Sequence, residues 1–363
     1  MADTAARLIA LDWGTSNLRA SLLGSGARVL ATRSAAAGVM AVPGATGAPA
    51  ATDEGAGRFE APLMALVGDW IDRHRCPLVA SGMIGSRQGW REAPYVQCPA
   101  GLSQVAAHLV PVPMASGGTL HIVPGLACIG ADGQDDVMRG EETQLFGAAL
   151  PPRSCCVLPG THSKWAWLGE GGEVRSFQTF MTGELYAVLA RHSILGRLMD
   201  FGGNEEAAIP APPAAAAAGA PGGAAAFAEG VQLGLAEYAS ATHVLFAART
   251  AGLTRRIGAA ALPDFLSGLL IGIEIGSATR ASRPAGVALL GEPALCARYA
   301  LALDLARISH QRVAADATTR GQWRVAAAAG LVAEGVGEGL DEGVGQQLGQ
   351  ELGQEIGQEG ASS

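Results

Sequence analysis

Apolar residues run unbroken from Leu8 to Leu11, meet the acid Asp12, and resume at Leu18 after Gly14, Thr15, Ser16 and Asn17. An apolar run this short predicts a buried strand that delivers a carboxylate to its own C-terminal end. Leu18 to Leu23 follows at once, so the turn is expected to be a hairpin loop. Arg28 to Arg33 reads as a third short strand, and Gly38 to Gly57, rich in Ala, Gly, Pro and Thr, as a mobile loop. Phe59 to His74 places Leu63, Leu66, Val67, Trp70 and Ile71 on one helical stripe. Leu78 to Ala80 and Thr119 to Val123 are the next strands, and Gly140 turns into a helix carrying Glu141 and Glu142.

Pro151-Pro152 marks a seam, and beyond it the pattern starts again. Ser154 to Leu158 is a strand, Pro159 to Lys164 a polar glycine turn, and Trp165 to Leu168 with Val174 to Phe180 a strand pair. Helices are predicted at Glu184 to His192, Phe227 to Arg249 and Pro263 to Thr279. A strand at Val287 to Leu290 leads through Gly291 and Ala294 into a helix ending near Leu303, and a last helix covers Gly321 to Glu334. The reading divides the chain into residues 1–152 and 153–335. Two segments fall outside that scheme. Residues 207–226 are almost entirely Ala, Pro and Gly and are expected to be a disordered insertion. Residues 336–363 repeat a Gly-containing four-residue unit, too glycine-rich for a solitary helix, and are expected to be a disordered tail.

Composition narrows the function. The 363 residues are 49% hydrophobic and carry a net charge of −8, which provides for sizeable cores and disfavours a nucleic-acid or anionic-membrane partner. No charged-then-apolar leader and no membrane-length apolar run is visible, so a soluble, cytoplasmic protein is expected. The six cysteines form no C-x-x-C pair and read as reduced small hydrophobes. Adjacent Cys155 and Cys156 are expected on opposite strand faces. Oligomeric state is left open, a homodimer being compatible.

Candidate chemistry gathers at the turns. The first one can cradle nucleotide phosphates with Gly14, Thr15, Ser16 and Asn17, Asp12 holding Mg²⁺ through water and Arg19 nearby. A plain hairpin whose Asp and Asn satisfy turn N–H groups fits the same residues. Ser81 to Trp90 holds three glycines among polar and aromatic residues, the composition of a functional loop.

Together these segments resemble the acetate and sugar kinase/heat-shock chaperone/actin superfamily, whose fold is two duplicated ribonuclease H-like domains of mixed sheets flanked by helices. Asp12 to Asn17 is similar to its first phosphate loop. Within the superfamily, Leu11 to Ala20, Met138 to Gln144, Leu158 to Trp165, Phe180 to Leu185 and Phe265 to Gly272 resemble the 2-dehydro-3-deoxygalactonokinase family. The resemblance implies ATP and Mg²⁺ as cofactors and phosphorylation of the 6-hydroxyl of a keto-deoxy sugar acid in galactonate breakdown. It puts Gly160, Thr161 and Lys164 at a second phosphate loop and Gly291 and Ala294 beside the adenosine. Lys164 either neutralises phosphate charge or lies solvated on a strand, and His162 is read as structural. The general base falls on Glu141 or Glu142, with Asp136 as a third candidate. Acids in a first helical turn also favour the helix dipole without any catalytic role. A carboxylate-bearing sugar asks for a cation, hydrogen-bonding groups and an apolar wall, for which Arg87, Gln88, Trp90, Arg139 and Glu184 are candidates. Another hexonate or ketose kinase, or a non-catalytic nucleotide switch, remains compatible with the same loops.

Overall fold

The computed structural model describes residues 5–42, 53–130, 133–202, 222–313 and 316–333. The first half opens with strands β1 (Leu8–Trp13), β2 (Leu18–Leu23) and β3 (Val29–Ala35), then helix α1 (Asp53–His74). It continues through β4 (Leu78–Gly82), β5 (Tyr95–Gln97), α2 (Leu102–Ala107), β6 (Val110–Pro113) and β7 (Thr119–Ile122). Strands β8 (Gly125–Ile129) and β9 (Asp135–Met138) lead into α3 (Glu141–Ala148).

The second half begins with β10 (Cys155–Leu158), β11 (Ser163–Leu168), β12 (Val174–Phe180) and α4 (Thr182–His192). Helices α5 (Gly223–Glu237), α6 (Ala241–Val244), α7 (Ala247–Leu253) and α8 (Leu262–Ala278) follow. The chain closes with β13 (Gly286–Leu289), α9 (Pro293–Leu305), β14 (Ser309–Arg312) and α10 (Ala317–Ala328).

The halves share one topology. The first sheet runs β3-β2-β1-β4-β7-β6 and the second β12-β11-β10-β13-β14. In each, a central strand pairs antiparallel with the hairpin that follows it and parallel with the next crossover strand. Two copies of that order form the actin-like ATPase fold that the resemblance implies. A third, three-stranded sheet, β5-β8-β9, belongs to the first half.

Strand pleating places the cores. Leu8 and Ala10 of β1 enter a core shared by both halves, where Cys156 and Leu158 of β10 meet them. Ile9, Leu11 and Trp13 point the other way into a core under α1. Cys155 and Val157 likewise face a core of the second half. All six cysteines are free, and Cys155 and Cys156 occupy opposite faces as period-two alternation requires.

Helix α10 returns to the first half. Gln322 Nε2 donates to Leu11 O at 2.7 Å and to Ser81 Oγ at 2.9 Å, tying β1 and β4 beside Asp12. A Cβ on Gly321 would stand 1.8 Å from Thr143 O, so only glycine lets α10 approach α3 this closely. Gly321 is therefore a crossing point and not a helix start, which corrects the expected boundary. The helix stops at Ala328, where Gly330 turns left-handed (φ 71°).

Phe227 to Arg249 is not one helix, because the backbone leaves helical angles at Glu237 (φ −121°, ψ 22°) and Ser240 (φ −111°, ψ 35°). The anticipated loop at 38–57 gives way to a 3₁₀ turn at Val39–Ala41, and α1 already begins at Asp53. Of the expected insertion, Gly223 to Ala226 are helical in α5, while 207–221 and the tail at 336–363 lie outside the described residues. No described helix is long and apolar enough to cross a membrane.

Candidate active site

Asp12 ends the central strand of the first sheet, and Gly14 N–H closes the turn onto Asn17 O at 2.9 Å. The segment behind holds the turn, with Gly38, Val39 and Met40 donating N–H to Ser16, Gly14 and Thr15 carbonyls at 3.0 Å each. A Cβ on Gly38 would meet that backbone at 2.3 to 2.4 Å, so glycine is needed there. Thr15, Ser16 and Asn17 are left exposed at the rim. Arg19 Nη1 stands 3.4 Å from Asp12 Oδ2. Burial pushes the Asp12 carboxyl above its usual range, with Arg19 pulling against it.

Two glycines bring the base candidates to Asp12. Gly82, which ends the parallel neighbour β4, takes φ 93°, and a Cβ there would stand 2.9 Å from Trp13 O and 3.7 Å from Asp12 Oδ1. Gly140 takes φ 111° and packs on Gly82, with 3.4 Å between its would-be Cβ and Gly82 Cα. Glu141 and Glu142 follow immediately as the first residues of α3.

Their surroundings differ. Glu142 is fully buried, accepts Gly140 N–H at 2.6 Å and lies 3.0 Å from Thr143 Oγ1. Burial, aided by the Glu141 charge, raises its carboxyl to about 8. Glu141 is partly exposed; its Oε2 accepts Arg139 N–H at 3.1 Å, and its Oε1 lies 3.6 Å from Lys164 Nζ. Lys164 itself is buried, with 4% exposure, so the solvated-strand alternative does not hold.

Asp136 is engaged elsewhere. Its carboxylate accepts Thr179 N–H at 2.6 Å and the Thr179 hydroxyl at 2.5 Å, joining β9 of the first half to β12 of the second. The third base candidate is therefore a tie between halves. Thr179 is the cross-strand partner of Lys164.

The second polar turn sits against α4 and α9. Glu184 N–H donates to Thr161 O at 3.0 Å, and a Cβ on Gly183 would lie 2.5 Å from Gly160 O. Glu184 Oε2 meets His162 Nε2 at 2.5 Å, both half-exposed at the mouth, so His162 is a rim residue. Gly291 packs on Pro159 O, which sets the third turn beside the second, and Ala294 lies in the first turn of α9. Glu292 caps that helix by accepting Leu295 N–H at 2.8 Å.

The loop after β4 divides its candidates. Trp90 is 2% exposed, stacked on Phe59 and edge-on to Trp13, so it is a core residue and not a pocket wall as expected. Arg87 and Gln88 are exposed, Arg87 with only Glu92 at 3.7 Å. Arg139 lies over the Tyr95 ring and donates from Nη2 to Ala93 O at 2.8 Å. Among the described residues its buried Nε and Nη1 have no partner, nor does buried Ser86 Oγ on the loop beside it. A Cβ on Gly85, the residue before Ser86, would stand 2.9 Å from Arg139 Nη1.

One group escaped the sequence reading altogether. Glu274 is buried in α8 and bonded to Trp165, Thr182 and Tyr299 behind the second loop. A single acid inside the apolar run Leu269 to Ile275 was the available signal.

Two sheets of one topology, with Glu141 of the first half 3.6 Å from Lys164 of the second, fit the class of actin-like kinases that act on small hydroxylated molecules. The comparisons bear this out and make it specific: the chain belongs to the 2-keto-3-deoxy-galactonokinase family, whose model matches residues 12–325. It is 36% identical over 313 residues to the 2-dehydro-3-deoxygalactonokinase of Escherichia coli K12, covering 86% of this chain and 94% of that one. It is 38% identical over 330 residues to a Rhizobium meliloti protein named as a probable 2-dehydro-3-deoxygalactonokinase, covering 90% and 98%. A crystal structure of a Sinorhizobium meliloti protein assigned the same activity superposes with a TM-score of 0.73 at 34% identity, covering 88% and 98%.

Proposed function

We propose that this chain transfers the γ-phosphoryl group of ATP to the 6-hydroxyl of 2-dehydro-3-deoxy-D-galactonate, as a cytoplasmic step of galactonate breakdown. The observation that carries the reading is the meeting of Asp12, Gly82, Gly140 and Glu141 from the first half with Lys164 from the second. The two units read from the sequence, residues 1–152 and 153–335, then flank the two substrates, with α10 of the second packed on the first.

Phosphoryl transfer needs alignment, charge stabilisation and one acceptor for the hydroxyl proton. Glu141 is the acceptor in this reading, because Glu142 is sealed in the interior and Asp136 is bonded to Thr179. As the sugar oxygen bonds to Pγ, the bond from Pγ to the β–γ bridging oxygen breaks, ADP leaves, and the proton passes to Glu141. Thr15, Ser16, Gly160 and Thr161 line the phosphates, Lys164 offsets their charge, and Gly291 with Ala294 borders the adenosine. Arg139 and Ser86 take the sugar carboxylate, using the donors that have no partner among the described residues.

The residues fit Mg²⁺ in its usual nucleotide-bound form. Asp12 is a carboxylate raised by burial with one arginine near it, and no described cluster of three His, Cys, Asp or Glu forms a protein-only cage. Asp12 would hold a hydrated Mg²⁺ through water, and the ion would supply charge neutralisation for phosphoryl transfer.

A coupled ADP-release assay across 2-dehydro-3-deoxy-galactonate, its gluconate epimer and neutral ketoses tests the assignment. Turnover is expected with the galactonate derivative and should fall by about 10²- to 10⁴-fold in Glu141→Gln while ATP still binds. Preference for a neutral ketose, or full activity in Glu141→Gln, would overturn it.

A further inference from the structure

We infer that Glu274 is a positioning residue that sets the geometry of the ATP-phosphate loop Pro159–Lys164 through a buried hydrogen-bond chain. The inference rests on the proposed reading of that segment as a phosphate loop. Glu274 is 1% exposed on α8, and its carboxyl gathers three donors from three different elements. Trp165 Nε1 of β11 donates to Oε1 at 2.8 Å. Tyr299 Oη of α9 donates to Oε2 at 2.6 Å, and Thr182 Oγ1 of α4 donates to the same oxygen.

These three elements surround the loop. On the strand side, Ser163 Oγ lies 2.7 Å from Tyr299 Oη and 3.4 Å from Gly160 N, so the chain runs from Glu274 to the loop backbone. On the helix side, Thr182 fixes the start of α4, whose Glu184 N–H holds Thr161 O at 3.0 Å. The neighbour of Trp165 is Lys164, whose ammonium reaches Glu141. One carboxyl therefore anchors both flanks of the turn and the strand that carries its cation. Ser163 and Tyr299 are enclosed, 0% and 1% exposed, so the link lies away from bulk solvent.

Burial raises the Glu274 carboxyl, and the donors oppose that cost by satisfying the ionised form. Leu or Met in its place would leave three buried donors without an acceptor.

The test is ATP–Mg²⁺ affinity by titration calorimetry, with thermal midpoint measured in parallel, on Ser163→Ala, Tyr299→Phe, their double variant, Glu274→Gln and Lys164→Met. Ser163→Ala and Tyr299→Phe should each weaken ATP at least tenfold. The double variant should be no worse than the weaker single, because both cut one chain. Glu274→Gln should match or exceed them; if it fails to fold, the hydroxyl deletions decide. ATP affinity within twofold of the parent in Ser163→Ala and Tyr299→Phe overturns the inference, however far the midpoint falls, and additive losses overturn it too. Lys164→Met separates the premises. If it weakens ATP while the chain variants do not, the phosphate loop stands and Glu274 is only structural. If it also leaves ATP untouched, the loop reading fails and this inference falls with it.

Discussion

Lys164 Nζ lies 3.6 Å from Glu141 Oε1, so a lysine of the second sheet meets the first residue of the helix that ends the first half. Only 5% of the lysine side chain is exposed, against 26% of the glutamate, so the ammonium is enclosed beside His162 O while the carboxylate keeps some access to solvent. The two positions should therefore separate in steady-state kinetics. Lys164→Met is expected to raise KM for ATP and lower turnover together, whereas Glu141→Gln lowers turnover with KM for ATP nearly unchanged. Identical profiles for the two variants would mean that they act only as a structural pair.

Glu142 predicts a pH dependence of stability. Its carboxyl stands near 8 in the folded chain and near 4.5 when unfolded, so between those values the folded state holds a proton that the unfolded state has released. The contribution of this group to stability is then fully present below about 4.5, is lost as pH rises toward 8, and stays lost above it. Glu142→Gln keeps the neutral shape and should flatten this slope, closing the gap to the parent, or passing it, on going from pH 5 to pH 8. Denaturant midpoints across that range check it, and parallel curves for both proteins would count against a buried neutral acid.

Asp136→Ala tests the tie to Thr179. Removing the carboxylate strands a strand N–H and a hydroxyl, at a cost of about 1–3 kcal/mol. A lower thermal midpoint with turnover within tenfold of the parent is expected. A hundredfold loss of turnover with an unchanged midpoint would return Asp136 to the role of base.

Helices α5 and α8 touch backbone to backbone. A Cβ on Gly268 would lie 2.1 Å from Phe227 O, and one on Gly230 would lie 2.2 Å from Phe265 O. Gly268→Ala should therefore destabilise by about 1–3 kcal/mol or more, since neither backbone can yield. Gly57→Ala in α1 meets nothing within 4 Å and should stabilise by about 0.5–1 kcal/mol. Thermal melts of the two variants should move in opposite directions.

Much of this molecule was legible in local pattern. The run Leu8–Leu11 into Asp12, the glycine-threonine turns and the restart after Pro152 each depend on neighbours in the chain, so the repeated strand–turn–strand pattern was visible in periodicity, and the duplicated fold was what the family resemblance implied. The shared order of the two sheets bears that out. Edge elements escaped for physical reasons. Strand β6 reads Val-Pro-Val-Pro, which only a sheet edge tolerates, and β14 reads Ser-His-Gln-Arg with no apolar face at all.

The chemistry of individual side chains was decided by tertiary structure alone. Glu141 and Glu142 are adjacent acids in one helical turn, and only the folded structure encloses the second while leaving the first partly exposed. Asp136 and Thr179 are 43 residues apart, and Gln322 lies 311 residues from Leu11. Trp90 went into the core because Phe59 and Trp13 offered it aromatic faces that no local pattern foretells. Periodicity records which face of an element is buried, and it carries no record of what buries it. Burial, hydrogen-bond partners and counter-charges set a carboxyl's proton affinity, and those come from segments that meet only when the halves fold together.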